Sequence, residues 1–130
     1  MTWYTASIVQ AIKLKEGKQE IYPVYENYVL IEADTVENAF NKADIIGKQV
    51  SEIDDQLTLN NKPATMVYMG VRKLIEVRNP LSEELDVDKL HSGTEVSYSY
   101  MEVDSEKKLK RLAEGKAVVV NYIDLDNRSD

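Results

Sequence analysis

A chain of 130 residues, 43 % hydrophobic and 30 % charged, with few glycines and prolines, fits one folded domain that buries roughly two-thirds of its extended surface, and it excludes global disorder. With no cysteine and a single histidine, it cannot build disulfides, thiolate nucleophiles, iron–sulfur clusters or cysteine-based zinc sites. Its 23 acidic against 16 basic side chains give a formal charge of −7, which repels polyanions and argues against nucleic-acid and anionic-membrane partners.

Trp3 to Leu14 reads as a strand: Tyr4, Ala6, Ile8, Ile12 and Leu14 share one face, interrupted by Gln10, and Trp3, Thr5, Ser7, Val9 and Ala11 share the other. Lys15-Glu16-Gly17-Lys18 supplies a hairpin-like turn. Ile21 to Ala33 is the antiparallel partner, with Pro23 near its start, where a missing N–H does least harm. Asp34 and Glu37 have capping-box spacing, with Thr35 as the competing N-cap. Val36, Ala39, Phe40, Ala43, Ile46, Gly47 and Val50 then recur every three or four residues, which predicts a one-sided helix over Val36–Val50 lying on a sheet. Phe40 is its expected anchor, with truncation to alanine costing about 3–5 kcal/mol.

Residues 51–62 read as a polar loop in which Leu57 and Leu59 form a small edge strand. Glu52, Asp54 and Asp55 lack the glycine and the spaced oxygens of an EF-hand loop. Thr65 to Val77 is the longest strand signal. Val67, Met69, Val71, Ile75 and Val77 alternate on one face with Lys73 as the exception, and Met66, Tyr68, Gly70, Arg72, Leu74 and Glu76 form the other. Gly70 in mid-strand reads as a bulge or a close backbone approach. Past Pro80, Ser82 to Leu90 reads as a helical turn and Thr94 to Val103 as a strand. Ser105 to Ala113 follows as a capped short helix stopped by Gly115, Ala117 to Ile123 as a final strand, and residues 124–130 as a fraying polar tail. The expected fold class is α+β, a single domain over residues 1–123. Its one mostly antiparallel sheet of four to five strands includes Trp3–Leu14, Ile21–Ala33, Thr65–Val77 and Thr94–Val103, with the main helix on one face and one or two short helices besides.

Chemistry is sparse. A Ser-His-acid arrangement can run only through His91, whose neighbouring hydroxyl is Ser92, and no G-x-S-x-G elbow exists. No nucleotide-binding glycine pattern surrounds Gly70. The basic run Lys107-Lys108-Leu109-Lys110-Arg111 reads as a solvated helix face, with a local anion or acidic-partner patch as the alternative. No catalytic residue, metal site or cofactor is assigned. Arg72 is the one candidate with a ligand reading. It either forms a sheet salt bridge with Glu32 or Glu95, or presents its guanidinium to a small anion in a site shared with Trp3, Glu32, Tyr68, Gly70 and Glu95. Eight tyrosines stand against one phenylalanine, and Tyr25, Tyr28, Tyr68, Tyr98 and Tyr100 fall on expected strands. Three helices, two of them short, leave sheet surface uncovered, which points to self-association as a homodimer.

The Trp3-Tyr4-Thr5-Ala6 start resembles an uncharacterised bacterial family common in cyanobacteria, domain-of-unknown-function family 4288. So do Val29-Leu30-Ile31-Glu32-Ala33 leading into Val36-Glu37-Asn38-Ala39-Phe40-Asn41-Lys42-Ala43, the segment Tyr68-Met69-Gly70-Val71-Arg72, and Gly93-Thr94-Glu95-Val96. The resemblance covers residues 3–103 and implies a small intracellular α+β protein. It brings no activity, cofactor or catalytic residue, and it leaves residues 104–130 beyond the family core. With no leader-like N-terminus and no apolar run of membrane-spanning length, the expected location is the cytoplasm. The reading is therefore a non-enzymatic structural or protein-interaction domain that self-associates or takes a protein partner, without nucleic acid or membrane. A small-ligand module around Arg72 is the alternative, and an enzyme using paired carboxylates or His91 the third.

Overall fold

Alternation in the first third of the chain builds a hairpin. β1 (Thr2–Leu14) and β2 (Val24–Ala33) pair antiparallel, from Thr2 opposite Ala33 to Ala11 opposite Val24. The computed structural model describes residues 2–51, 56–78, 90 and 92–124. The expected acidic loop residues Glu52, Asp54 and Asp55, most of the Ser82–Leu90 turn and His91 lie outside the described residues.

β2 starts three residues later than the apolar pattern predicts, because a side chain replaces the ladder there. Gln19 accepts from the Leu14 amide through Oε1 at 2.9 Å and donates through Nε2 to the carbonyls of Ile12 at 2.8 Å and Ile21 at 3.1 Å. After β2 the chain enters α1 (Val36–Ser51). Thr35, not Asp34, is the cap: its Oγ1 accepts from the Asn38 amide at 3.1 Å, and its carbonyl accepts from the Ala39 amide at 2.9 Å. β3 (Thr58–Leu59) and β4 (Lys62–Glu76) follow, joined by Asn60 and Asn61 at φ 52° and 65°, the left-handed pair that a tight hairpin turn needs. The sheet is antiparallel, in the order β2-β1-β4-β3.

α1 lies across β4, β1 and β2. Its buried residues are Ala39, Ala43 and Gly47, one every four positions, and this stripe of small residues lets the helix come close to Tyr4, Ala6, Ile31, Ala33, Val71 and Leu74. Gly47 is required by that approach: a Cβ there would collide with the ring of Tyr68 at Cε1. Phe40 packs at the edge of this core with Val29, Val36 and Ile46, only half-buried, so it is a flank of the helix and not its anchor. Val50, assigned to the apolar face by periodicity, is exposed.

The last third departs from expectation. Thr94–Val103 does not add a strand to the main sheet. Within that segment, Glu95 exchanges backbone hydrogen bonds with Arg78, two residues past the end of β4, in an isolated bridge. A separate two-stranded sheet forms from β5 (Tyr100–Glu102) and β6 (Asn121–Ile123). Between them stands α2 (Glu106–Ala113), capped by Ser105, whose Oγ accepts from the Lys108 amide at 3.2 Å. Gly115, at φ 76°, marks the reversal after α2.

Candidate functional site

The face of the sheet turned away from α1 carries the polar chemistry. Because Tyr4, Ala6, Ile31 and Ala33 face the helix, period-2 alternation turns Trp3, Thr5, Ser7 and Val9 of β1, and Glu26, Tyr28, Leu30 and Glu32 of β2, to the opposite side. β4 joins this face after two interruptions. Ser7 pairs with Lys73 while Ile8 pairs with Val71, and Val9 pairs with Gly70 while Gln10 pairs with Tyr68, so Arg72 and Met69 are extra residues. Gly70 lies between them at φ 148°, a conformation that side chains resist.

These bulges separate residues that simple alternation would align. Tyr68 turns to the helix, where its hydroxyl donates to Oδ1 of Asp44 at 2.6 Å. Arg72 turns to the far face, where it bonds Oε1 of Glu26 and Oδ1 of Asp124, each at 3.1 Å, and stacks 4.2 Å from the ring centre of Tyr122. Among the described residues its carboxylate partners include Glu26 and Asp124, neither of which is the Glu32 or Glu95 expected from the sequence. Glu95 is tied by its backbone to Arg78. Trp3 and Glu32 stand directly opposite each other on the far face, but Trp3 is four residues along β1 from Ser7, roughly 13 Å away. Of the six residues expected around a ligand, Trp3 and Glu32 meet, Gly70 and Arg72 share one irregular stretch, and Tyr68 and Glu95 face other surroundings.

At the centre of this face is Lys73, 2 % exposed. Its ammonium donates to the Tyr98 carbonyl at 2.6 Å and to the Tyr122 hydroxyl at 2.9 Å, with both rings within 6 Å of Nζ. Around it, Ser7 Oγ, Thr5 Oγ1, Ser97 Oγ and Glu26 Oε2 are buried and make no hydrogen bond among the described residues. A lysine buried against a carbonyl and a phenol instead of a carboxylate is costly to hold, as are unmet buried hydroxyls. Tyr122 responds to this setting: the hydrogen bond its oxygen accepts from Lys73, then its contact with the Ser99 hydroxyl, holds the phenol below its ordinary range. Tyr28 is pushed up by burial and then by the Glu26 charge. For Arg72, burial works against the charged form, but Glu26 and Asp124 outweigh it and raise its pKa.

Lys73, Glu26, Ser7, Thr5, Tyr122 and Asp124 were not picked out by sequence reasoning. The available signal was the single cation interrupting an apolar alternation at Lys73. Asp124, first residue of the expected tail, is held here by Arg72. Clefts of about 560 Å³ beside Lys15, Glu16, Gly17, Lys62 and Pro63, and about 370 Å³ beside Gln19, Ile21 and Leu59, lie at the β1–β2 loop end, away from this cluster. Among the described residues no group of three or more histidine, aspartate or glutamate side chains could hold a metal ion, and no helix is long and apolar enough to cross a membrane.

The fold and this face define a small α+β domain, a four-stranded antiparallel sheet with one long helix on one side and one short helix near its end, without a recognised catalytic arrangement among the described residues. The chain belongs to the family described as domain of unknown function DUF4288, whose model matches residues 3–97. No curated protein and no solved structure matches it. The match ends before Tyr98, so Tyr98, Tyr122 and Asp124, which meet Lys73 and Arg72, lie beyond it.

Proposed function

We propose that this protein is a non-enzymatic interaction domain that works as a homodimer, joined through the outer edge of β2. The supporting observation is that edge itself. β2 runs ten residues with an unbroken register to β1, and among the described residues no strand pairs with its other side. On the other side of β1, β4 is interrupted by two bulges and its far end is paired by the two-residue β3, whereas β2 has no bulge. Val24, Tyr28 and Leu30 lie on the far face of β2 and are 58 %, 53 % and 42 % exposed.

Antiparallel pairing of two β2 strands about a twofold axis at Tyr28 sets Tyr28 against its own copy, Glu26 against Leu30 and Val24 against Glu32. No carboxylates face each other directly, and the interface is self-complementary, as a twofold requires. A second copy extends the sheet to eight strands, within the usual range. Sedimentation equilibrium in the micromolar range tests this, with Tyr28→Glu placing two carboxylates face to face at the axis. The expected result is a wild-type dimer and a monomeric, folded variant. A wild-type monomer throughout, or a dimer untouched by the substitution, refutes the reading.

A further inference from the structure

We infer that Lys73 and Arg72, with the hydroxyls of Ser7 and Thr5, form a binding site for a small oxyanion, a phosphate or carboxylate group, and that residues 98–124 cover it with Asp124 standing in the anion's place. This goes beyond self-association and does not depend on it. Two adjacent cations share the far face, one on the regular strand and one on the bulge. Lys73 uses two of its three donors on Tyr98 and Tyr122. The hydroxyls of Ser7, 1 % exposed and directly opposite Lys73, and of Thr5, 3 % exposed and two residues along the same face, lack partners. Buried donors left unmet beside a cation are what a bound anion satisfies.

The cover supplies the other half of the argument. β5 and β6 pair with each other, and the segment that carries them is tied to the sheet at these same cations: a carbonyl and a phenol on Lys73, a carboxylate and an aromatic ring on Arg72. Asp124 is half-exposed, and its carboxylate takes the position on Arg72 that an anion would take. Glu26 remains as the standing counter-ion of Arg72. Lifting residues 98–124 removes the Asp124 carboxylate from Arg72 and both acceptors from Lys73. An intramolecular competitor lowers apparent affinity in proportion to the fraction of molecules in which the site is open.

The test is a titration of the full chain with inorganic phosphate, followed by calorimetry and by amide chemical shifts. Asp124→Asn weakens the cover and is expected to tighten phosphate binding about tenfold. The perturbed amides should include Ser7, Thr5 and Lys73. Lys73→Met should abolish binding in both backgrounds. Ser7→Ala, a smaller change that leaves the sheet intact, should weaken it several-fold and decides the matter if Lys73→Met does not fold. The inference is overturned if Asp124→Asn leaves the affinity unchanged, if Ser7→Ala is without effect, or if the shifts gather at Lys15 and Lys62 as an adventitious ion only.

Discussion

The two faces of the sheet solve the same burial problem by opposite means. Under α1, alanines and a glycine let backbone approach backbone, and the core cluster is apolar: Ala6, Ala39, Ala43 and Leu74 have no exposed surface at all. Across the sheet, the equivalent depth holds a lysine, a threonine and a serine, closed over by a segment from the C-terminal third. The first face gains its stability from packing, whereas the second gives some up to keep polar groups in place. The two sides of a single sheet thus divide close apolar packing from buried polar groups.

That contrast can be broken most forcefully from the helix side. Leu74→Ala opens a cavity in the apolar layer and should cost about 2–5 kcal/mol in chemical denaturation. A smaller loss would mean that the helix relaxes into the gap, and the packing would then be less exacting than the geometry shows. Gly47→Ala should cost a net ~1–2 kcal/mol although alanine favours helices, because the added methyl collides with the Tyr68 ring. Combining it with Tyr68→Ala should remove the collision and show positive coupling. Simple additivity would place the strain elsewhere.

Phe40→Ala should cost about 1–3 kcal/mol, less than Leu74→Ala, since the ring flanks the core. The smallest effect is electrostatic. The Tyr68 hydroxyl, then Lys48, holds the Asp44 carboxyl below its ordinary range. A depressed carboxylate pKa contributes stability that is present above the unfolded-state value and lost as pH falls through the folded-state value. Tyr68→Phe should therefore raise the Asp44 pKa seen by NMR, with a stability difference from wild type that is full at neutral pH and closes in acid. A pH-independent difference would assign the effect to packing alone.

Local periodicity made the helix-covered half legible in the sequence. The 2- and 3.6-residue patterns located β1, α1 and β4, and the loop chemistry of Leu57–Leu59 located β3, because each element's own apolar face reports its burial. Family membership was legible as well, from the strand and helix order read over residues 3–103, of which the family model matches 3–97. Two kinds of information were not. Gly70 signalled an irregularity in mid-strand, but that it has a bulge on each side, at Met69 and Arg72, depends on how β1 and β4 fit together, so the face of Arg72 could not be read from β4 alone. The pairing of β5 with β6, and the closure of Tyr98 and Tyr122 over Lys73, join residues far apart in the chain and leave only an isolated cation as their trace. The Gln19 bridge that shortens β2 is likewise a side-chain substitution for a ladder, and periodicity is blind to it.

Hydrogen exchange of the Val24–Ala33 amides at low and high micromolar protein decides whether two copies join at the unbulged β2 edge. Alternate amides of this strand, those pointing away from β1, are expected to gain protection as concentration rises, and to lose that gain in Tyr28→Glu. Protection that is independent of concentration along β2, or that grows on another surface instead, would contradict it.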